Sequence, residues 1–280
     1  AFDEIVQLID MIYNKRDTVK NICWKIYRFY VWGPHLLNED NIITIDNTII
    51  EGMADTMISS GYKIQPVIDE LLRSQHFYED APGVTDNNVG AIIKSPLDLV
   101  FGTLRFFDVQ LPNMITEAEQ FYAVTADITA AFGSQGLSFY EPYDVAGYDA
   151  YHQFPVYHRF WITPNYLVNR YDFIKNIIGM PENPLRIDTL DFIYTHFNAE
   201  APDPDALIAA LSNYLYPKVF DNPATAMLTD KRHDYFKSRF LGQFSAAEWA
   251  MYWNNNDGEV PNFLNNLFNA MLQSPEYQLS

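Results

Sequence analysis

The residues best able to do chemistry gather between Gln135 and Ile162, where Glu141, Asp144, Asp149, His152 and His158 are interspersed with Tyr140, Tyr143, Tyr148, Tyr151 and Tyr157. Carboxylates beside imidazoles supply either an acid–base pair or oxygen and nitrogen ligands for a metal. A glycosidase would set Glu141 against Asp144 or Asp149 across a sugar ring, one as acid and the other as base or nucleophile. The spacing matches neither the helical H-E-x-x-H pair nor the glycine-centred calcium loop, so no metal is assigned. Glu141, Asp144, Asp149 and His152 stand as the catalytic candidates. Their ordinary role would be to hydrogen-bond loop backbone, since a long packed loop must satisfy its own amides.

Other familiar centres are missing from the sequence. It holds no phosphate-binding G-x-x-x-x-G-K-[ST] loop, no dinucleotide glycine fingerprint, no G-x-S-x-G elbow and no paired C-x-x-C, so no cofactor is implied. The single cysteine, Cys23, cannot form an internal disulfide, and its helical stripe with Val19, Ile26 and Tyr30 makes it a small core residue. Trp249, Tyr252 and Trp253 beside Asn254-Asn255-Asn256-Asp257 offer flat rings and amides of the kind that suit a sugar, although the Asn run also reads as a helix end and turn.

Composition narrows the partners. With 18 Lys and Arg against 36 Asp and Glu, the formal charge of −18 repels phosphate backbones and anionic lipid, which argues against nucleic acid and membrane-surface partners. Apolar residues make up 48% of the chain and aromatics 16%, enough to demand a packed core. No apolar run approaches the roughly 18 residues that read as a membrane span. The chain opens directly in a helical pattern at Phe2-Asp3-Glu4-Ile5-Val6, and no leader is read there.

The elements that must position these residues are helices. Ile5, Leu8, Ile9 and Ile12 recur at helical spacing, as do Val19, Ile22, Ile26 and Phe29. Ile49, Met53, Met57 and Ile58 continue the pattern until Gly61 stops it, and Ile64 to Leu72 form the next helix. Between Asn88 and Leu111, Pro96 belongs in a first turn capped by Ser95. Thr116-Glu117-Ala118-Glu119 reads as a capping box opening a helix that ends at Gly133. Thr163-Pro164 starts another that ends at Gly179, and further helices are expected at Ile187 to Phe197, Pro204 to Leu215, Ala224 to Leu241, Ala246 to Asn254 and Val260 to Gln273. The stretch 135–162 is too long for an ordinary connection and is expected to be a structured, functional loop. One local echo stands out: Leu71-Leu72-Arg73-Ser74-Gln75-His76-Phe77 against Met271-Leu272-Gln273-Ser274-Pro275-Glu276-Tyr277.

Several of these segments resemble the bacterial family known as domain of unknown function 1800, whose members are exported and have no established activity. Lys25-Ile26-Tyr27-Arg28-Phe29-Tyr30-Val31 is similar to its K-L-x-R-x-F-V segment, and Leu71 to Phe77 to its L-L-x-S-x-x-F helix end. Lys94-Ser95-Pro96 with Asp98, Leu99, Val100, Leu104 and Arg105 resembles K-S-P-x-E-x-V-x-x-x-L-R. Phe139, Pro142, Val145 and Gly147 follow its long-loop motif, with Tyr148 where that motif has tryptophan and Tyr143 where it has proline. Trp161, Ile162, Leu167 and Arg170 follow W-[IL]…L-x-x-R, and all of these stand in the family's order. The resemblance implies the C-terminal part of a longer exported protein, periplasmic or at the cell surface.

Lys25, Arg28, Lys94, Arg105 and Arg170 all fall in the resembling motifs although cations are scarce. They read either as an anion-binding pocket or, in the commoner pattern, as ion pairs with nearby acids that fix helix packing. The expectation is therefore an all-α array with one long structured loop. Residues 1–180 would form a main domain holding loop 135–162, and 181–280 a helical subdomain packed on it. The expected role is non-catalytic binding or assembly at the cell envelope, toward a glycan or another envelope protein, with Lys94, Arg105, Tyr148, Trp161 and Arg170 as binding residues. The alternative is a hydrolase or metal-dependent enzyme, glycan-directed, built on the loop acids and histidines.

Overall fold

The structure is a computed structural model that describes residues 2–33, 39–78, 92–138, 161–217 and 230–279. The fold is all-α, and among the described residues the one strand-like feature is an isolated antiparallel bridge between Ile93 and Leu279. No described helix is long and apolar enough to cross a membrane. The described residues up to Ile92 form one compact unit and those from Ile93 onward form another.

The first unit holds α1 (Phe2–Tyr13), α2 (Arg16–Tyr30), α3 (Glu39–Ile45), a π-helical turn at Asp46–Ile50, α4 (Glu51–Ser59) and α5 (Ile64–Arg73). Val19, Cys23, Trp24 and Tyr27 of α2 bury against Ile50 of the π turn, Met53, Ala54 and Met57 of α4, and Val67 and Leu71 of α5. Burying each such large side chain stabilises by about 1.5–3 kcal/mol. α4 ends because Gly61 adopts a left-handed φ of 69°, which lets Tyr62 N donate to Met57 O at 2.8 Å and closes the last turn. The apolar stripe expected on α1 exists, yet no residue of that helix is buried.

The second unit holds α6 (Pro96–Phe106), α7 (Ala118–Ser134), α8 (Pro164–Gly179), α9 (Thr189–His196), α10 (Pro204–Leu215), α11 (Asp230–Leu241), α12 (Ala246–Asn254), α13 (Val260–Leu272) and a 3-10 turn at Glu276–Gln278. α13 is its centre. Leu264, Leu267, Phe268, Met271 and Leu272 are fully buried, and the helix packs on α8, α9 and α11. The domain boundary expected at 180 falls inside this core, because Ile177 and Ile178 on one side of it and Leu185 and Ile187 on the other bury together.

Local chemistry explains most helix ends. Ser95 caps α6 in a full capping box: its Oγ accepts from Asp98 N at 3.2 Å, Asp98 Oδ2 accepts from Ser95 N at 3.2 Å, and Pro96 occupies the first turn. The capping box expected at Thr116 does not form. Asn113 Oδ1 accepts from Ile115 N and Thr116 N at 2.8 and 3.1 Å, Glu117 Oε2 turns back to Asn113 N, and α7 begins at Ala118. An Asx turn has taken those donors first. The Asn run after α12 is a helix end, with Asn256 at φ 49°.

Candidate functional site

Glu141, Asp144, Tyr148, Asp149, His152 and His158 lie outside the described residues, as does most of the loop 135–162. Among the described residues no His, Cys, Asp and Glu side chains converge as metal ligands. Cys23 is fully buried, and desolvation, followed by the charge of Glu70, pushes its thiol up to about 11, so it stays a protonated core residue. Trp249 and Trp253 are buried too, with Trp249 Nε1 donating to Ala201 O at 2.8 Å, so these two rings are closed to a sugar face.

The cations are the informative group. Arg170, on the second turn of α8, is buried completely in the second unit. Its Nε donates to Gln278 Oε1 at 2.7 Å and its Nη2 to the Lys94 carbonyl at 2.9 Å, while its buried Nη1 has no hydrogen-bond partner among the described residues. Lys94 immediately precedes the Ser95 cap. Its backbone N donates to Gln278 O at 2.8 Å, and its ammonium sits 3.8 Å from the centroid of the Tyr277 ring. Tyr277 is held in turn by Thr103, its hydroxyl 2.8 Å from Thr103 Oγ1. The Tyr277–Leu279 segment is thus clamped beside Ile93-Lys94, and Arg170 is threaded across the clamp.

No carboxylate lies within ion-pair distance of Lys94, Arg105 or Arg170 among the described residues, unlike Arg16, Lys20 or Arg232, which all have one. Among the described residues the ion pairs expected to fix helix packing are therefore absent at Lys94 and Arg170. Burial pushes Lys94 down to about 8, the like charge of Arg170 adds to that, and Asp98 partly opposes it. Burial also lowers Arg170, to about 10, against the pull of Tyr171, Asp98 and Tyr277, so the guanidinium keeps its charge at neutral pH. Each buried ion costs several kcal/mol in lost hydration, and the π face of Tyr277 and two neutral oxygens return only part of it.

Gln135 is a second buried polar group that lacks partners. It is fully buried, and neither its Nε2 nor its Oε1 is hydrogen-bonded among the described residues. Its position follows from the end of α7: Gly136 takes a left-handed φ of 93°, Gly136 N donates to Gly133 O at 3.0 Å and Leu137 N to Phe132 O at 2.9 Å. That motif leaves Gln135 as the cap residue turned inward. The residues preceding Gln135 and Arg170 are joined directly, since Asn169 Nδ2 donates to Ser134 O.

Of the expected binding residues, the structure brings Lys94 and Arg170 together. Trp161 is buried in the turn leading into α8, and Arg105 is exposed on the last turn of α6, away from the clamp's hydrogen bonds. Gln278, Tyr277 and Gln135 were not anticipated as site residues. Tyr277 and Gln135 carried a signal, one as the aromatic of the helix-end echo and the other at the head of the long loop.

The chain matches the family described as protein of unknown function (DUF1800) over residues 1–279, and it belongs to that family. The match extends well past Arg170, where the motif-by-motif resemblance ends. No curated protein matches the chain, and neither does any solved structure.

Proposed function

We propose that this DUF1800 protein is a non-catalytic binding module of an exported bacterial protein, and that its recognition element is the Lys94–Arg170 centre, which takes an anionic group. One observation carries the reading: a wholly buried guanidinium with an unpartnered Nη1 and no carboxylate within ion-pair distance among the described residues. A buried charge without a counter-charge is expensive unless something repays it, and an anion that accepts from Nη1 and faces the Lys94 ammonium would do so. The exported setting rests on the family resemblance.

The test is thermal unfolding of the full chain with acetate, phosphate or sulfate, at constant ionic strength and with chloride as the reference. A ligand at about one hundred times its dissociation constant stabilises by about 2.7 kcal/mol through mass action. The melting temperature should rise with at least one of these anions, and Arg170→Met and Lys94→Met should each weaken the response. A wild-type protein indifferent to all three, or variants that respond as strongly as it does, would end the proposal.

A further inference from the structure

We propose that Gln135 and Arg170 read one ligand together, and that this ligand is a carboxylate carrying an amide beside it, as at the C-terminal end of a peptide. The inference rests on the anion-binding reading above and narrows it to a chemical class.

The argument is one of matching unmet donors and acceptors. Nε and Nη2 of Arg170 are already engaged by Gln278 and the Lys94 carbonyl, so the guanidinium's two-pronged edge toward a phosphate is partly used and Nη1 alone is wholly free. A carboxylate, with one negative charge and two acceptor oxygens, satisfies Nη1 while facing Lys94. Gln135 asks for something no simple anion has, because its Oε1 needs a donor and its Nε2 an acceptor. A secondary amide offers both, one N–H and one C=O. The Asn169–Ser134 hydrogen bond joins α7 to α8 at the residues immediately before Gln135 and Arg170, so the backbones that carry the two unmet groups are tied at one junction.

The experiment compares three probes on the full chain by calorimetry and melting: acetate, N-acetylglycine and inorganic phosphate, each with wild type and with Gln135→Met. N-acetylglycine should bind wild type about tenfold more tightly than acetate, the gain expected of one or two net hydrogen bonds. In Gln135→Met the two carboxylates should become equal while acetate itself is unaffected. Without ligand, Gln135→Met should melt higher than wild type, because an unpaired buried amide gives way to an apolar chain of similar volume; a lower melting point would show that the amide is paired internally and overturn the inference. Equal binding of acetate and N-acetylglycine to wild type, a preference that survives Gln135→Met, or tighter binding of phosphate would also overturn it, leaving the anion centre standing. Failure of all three probes to bind would remove the anion centre itself.

Discussion

In the first unit Arg16 and Lys20 lie beside Asp46, Glu51 and Asp55, whereas in the second Arg170 is fully buried and Lys94 half-buried with no carboxylate within ion-pair distance among the described residues. Lys20 Nζ reaches Glu51 at 2.9 Å and also pairs with Asp46, which in turn accepts from Trp24 Nε1 at 2.8 Å. Arg16 pairs with Glu51 and lies 2.8 Å from Asp55. These acids raise the pKa of Lys20, first through the hydrogen bonds its ammonium donates to Asp46 and Glu51, while burial lowers that of Lys94. The same residue type is thus held charged in one unit and pressed toward neutrality in the other. A cation answered by carboxylates needs no explanation beyond the fold, but an unanswered one at a buried or half-buried position does.

The contrast is broken most forcefully at Arg170. Arg170→Ala deletes a fully buried side chain and strips the donors from Gln278 Oε1 and the Lys94 carbonyl, so stability in urea should fall by about 3 kcal/mol. A loss below about 1 kcal/mol would mean that the clamp does not depend on it.

A matched pair of glycines comes next. Gly136→Ala and Gly61→Ala each force a side chain into a left-handed conformation, at a cost of about 1–2 kcal/mol. Both should lower the melting temperature alike, but only Gly136→Ala should also weaken the response to carboxylates, because it moves Gln135. Equal ligand responses in the two variants would separate the α7 corner from the site.

Lys94→Met should act in the opposite direction. The folded pKa of Lys94 lies near 8 and its unfolded value near the ordinary 10.5, so between these the unfolded chain binds more protons and the stability of the ligand-free protein rises with pH. Lys94→Met should therefore gain about 1 kcal/mol at pH 7, with the advantage fading as pH climbs from about 8 to about 10. A variant that parallels wild type across that range would show that the lysine is not pressed by burial.

The smallest effect belongs to the answered cations. Lys20→Met should cost less than about 1 kcal/mol, and less again in high salt, where such pairs are screened. A salt-independent loss larger than that would erase the distinction between the two units.

Where a local rule governs, the sequence was readable. The start of α6 followed from Ser95 and Pro96, the bounds of α8 from Pro164 and Gly179, and the stop after α4 from Gly61. The Thr116 box failed because a neighbouring Asn113 competes for the Thr116 amide, which a four-residue pattern does not register. Lys94 and Arg170 were nameable from motif and scarcity. Their shared partner was not, since Gln278 lies 108 residues from Arg170 and no periodicity connects them. The helix-end echo did prove physical. Ser74 Oγ accepts from Phe77 N at 3.2 Å and Ser274 Oγ from Tyr277 N at 3.3 Å, and each turn delivers an aromatic ring to its own unit's core.

The clamp also sets a schedule for biogenesis. A nascent chain emerging from the ribosome could wind α6 through α13 before Tyr277 and Gln278 exist, and until they arrive Arg170 Nε lacks its side-chain amide acceptor and Lys94 the ring it rests on. The surroundings of Arg170 and Lys94 are then completed only after α13 has been made, and a proteolytic nick that removes the Tyr277–Leu279 segment would leave the helices without the clamp.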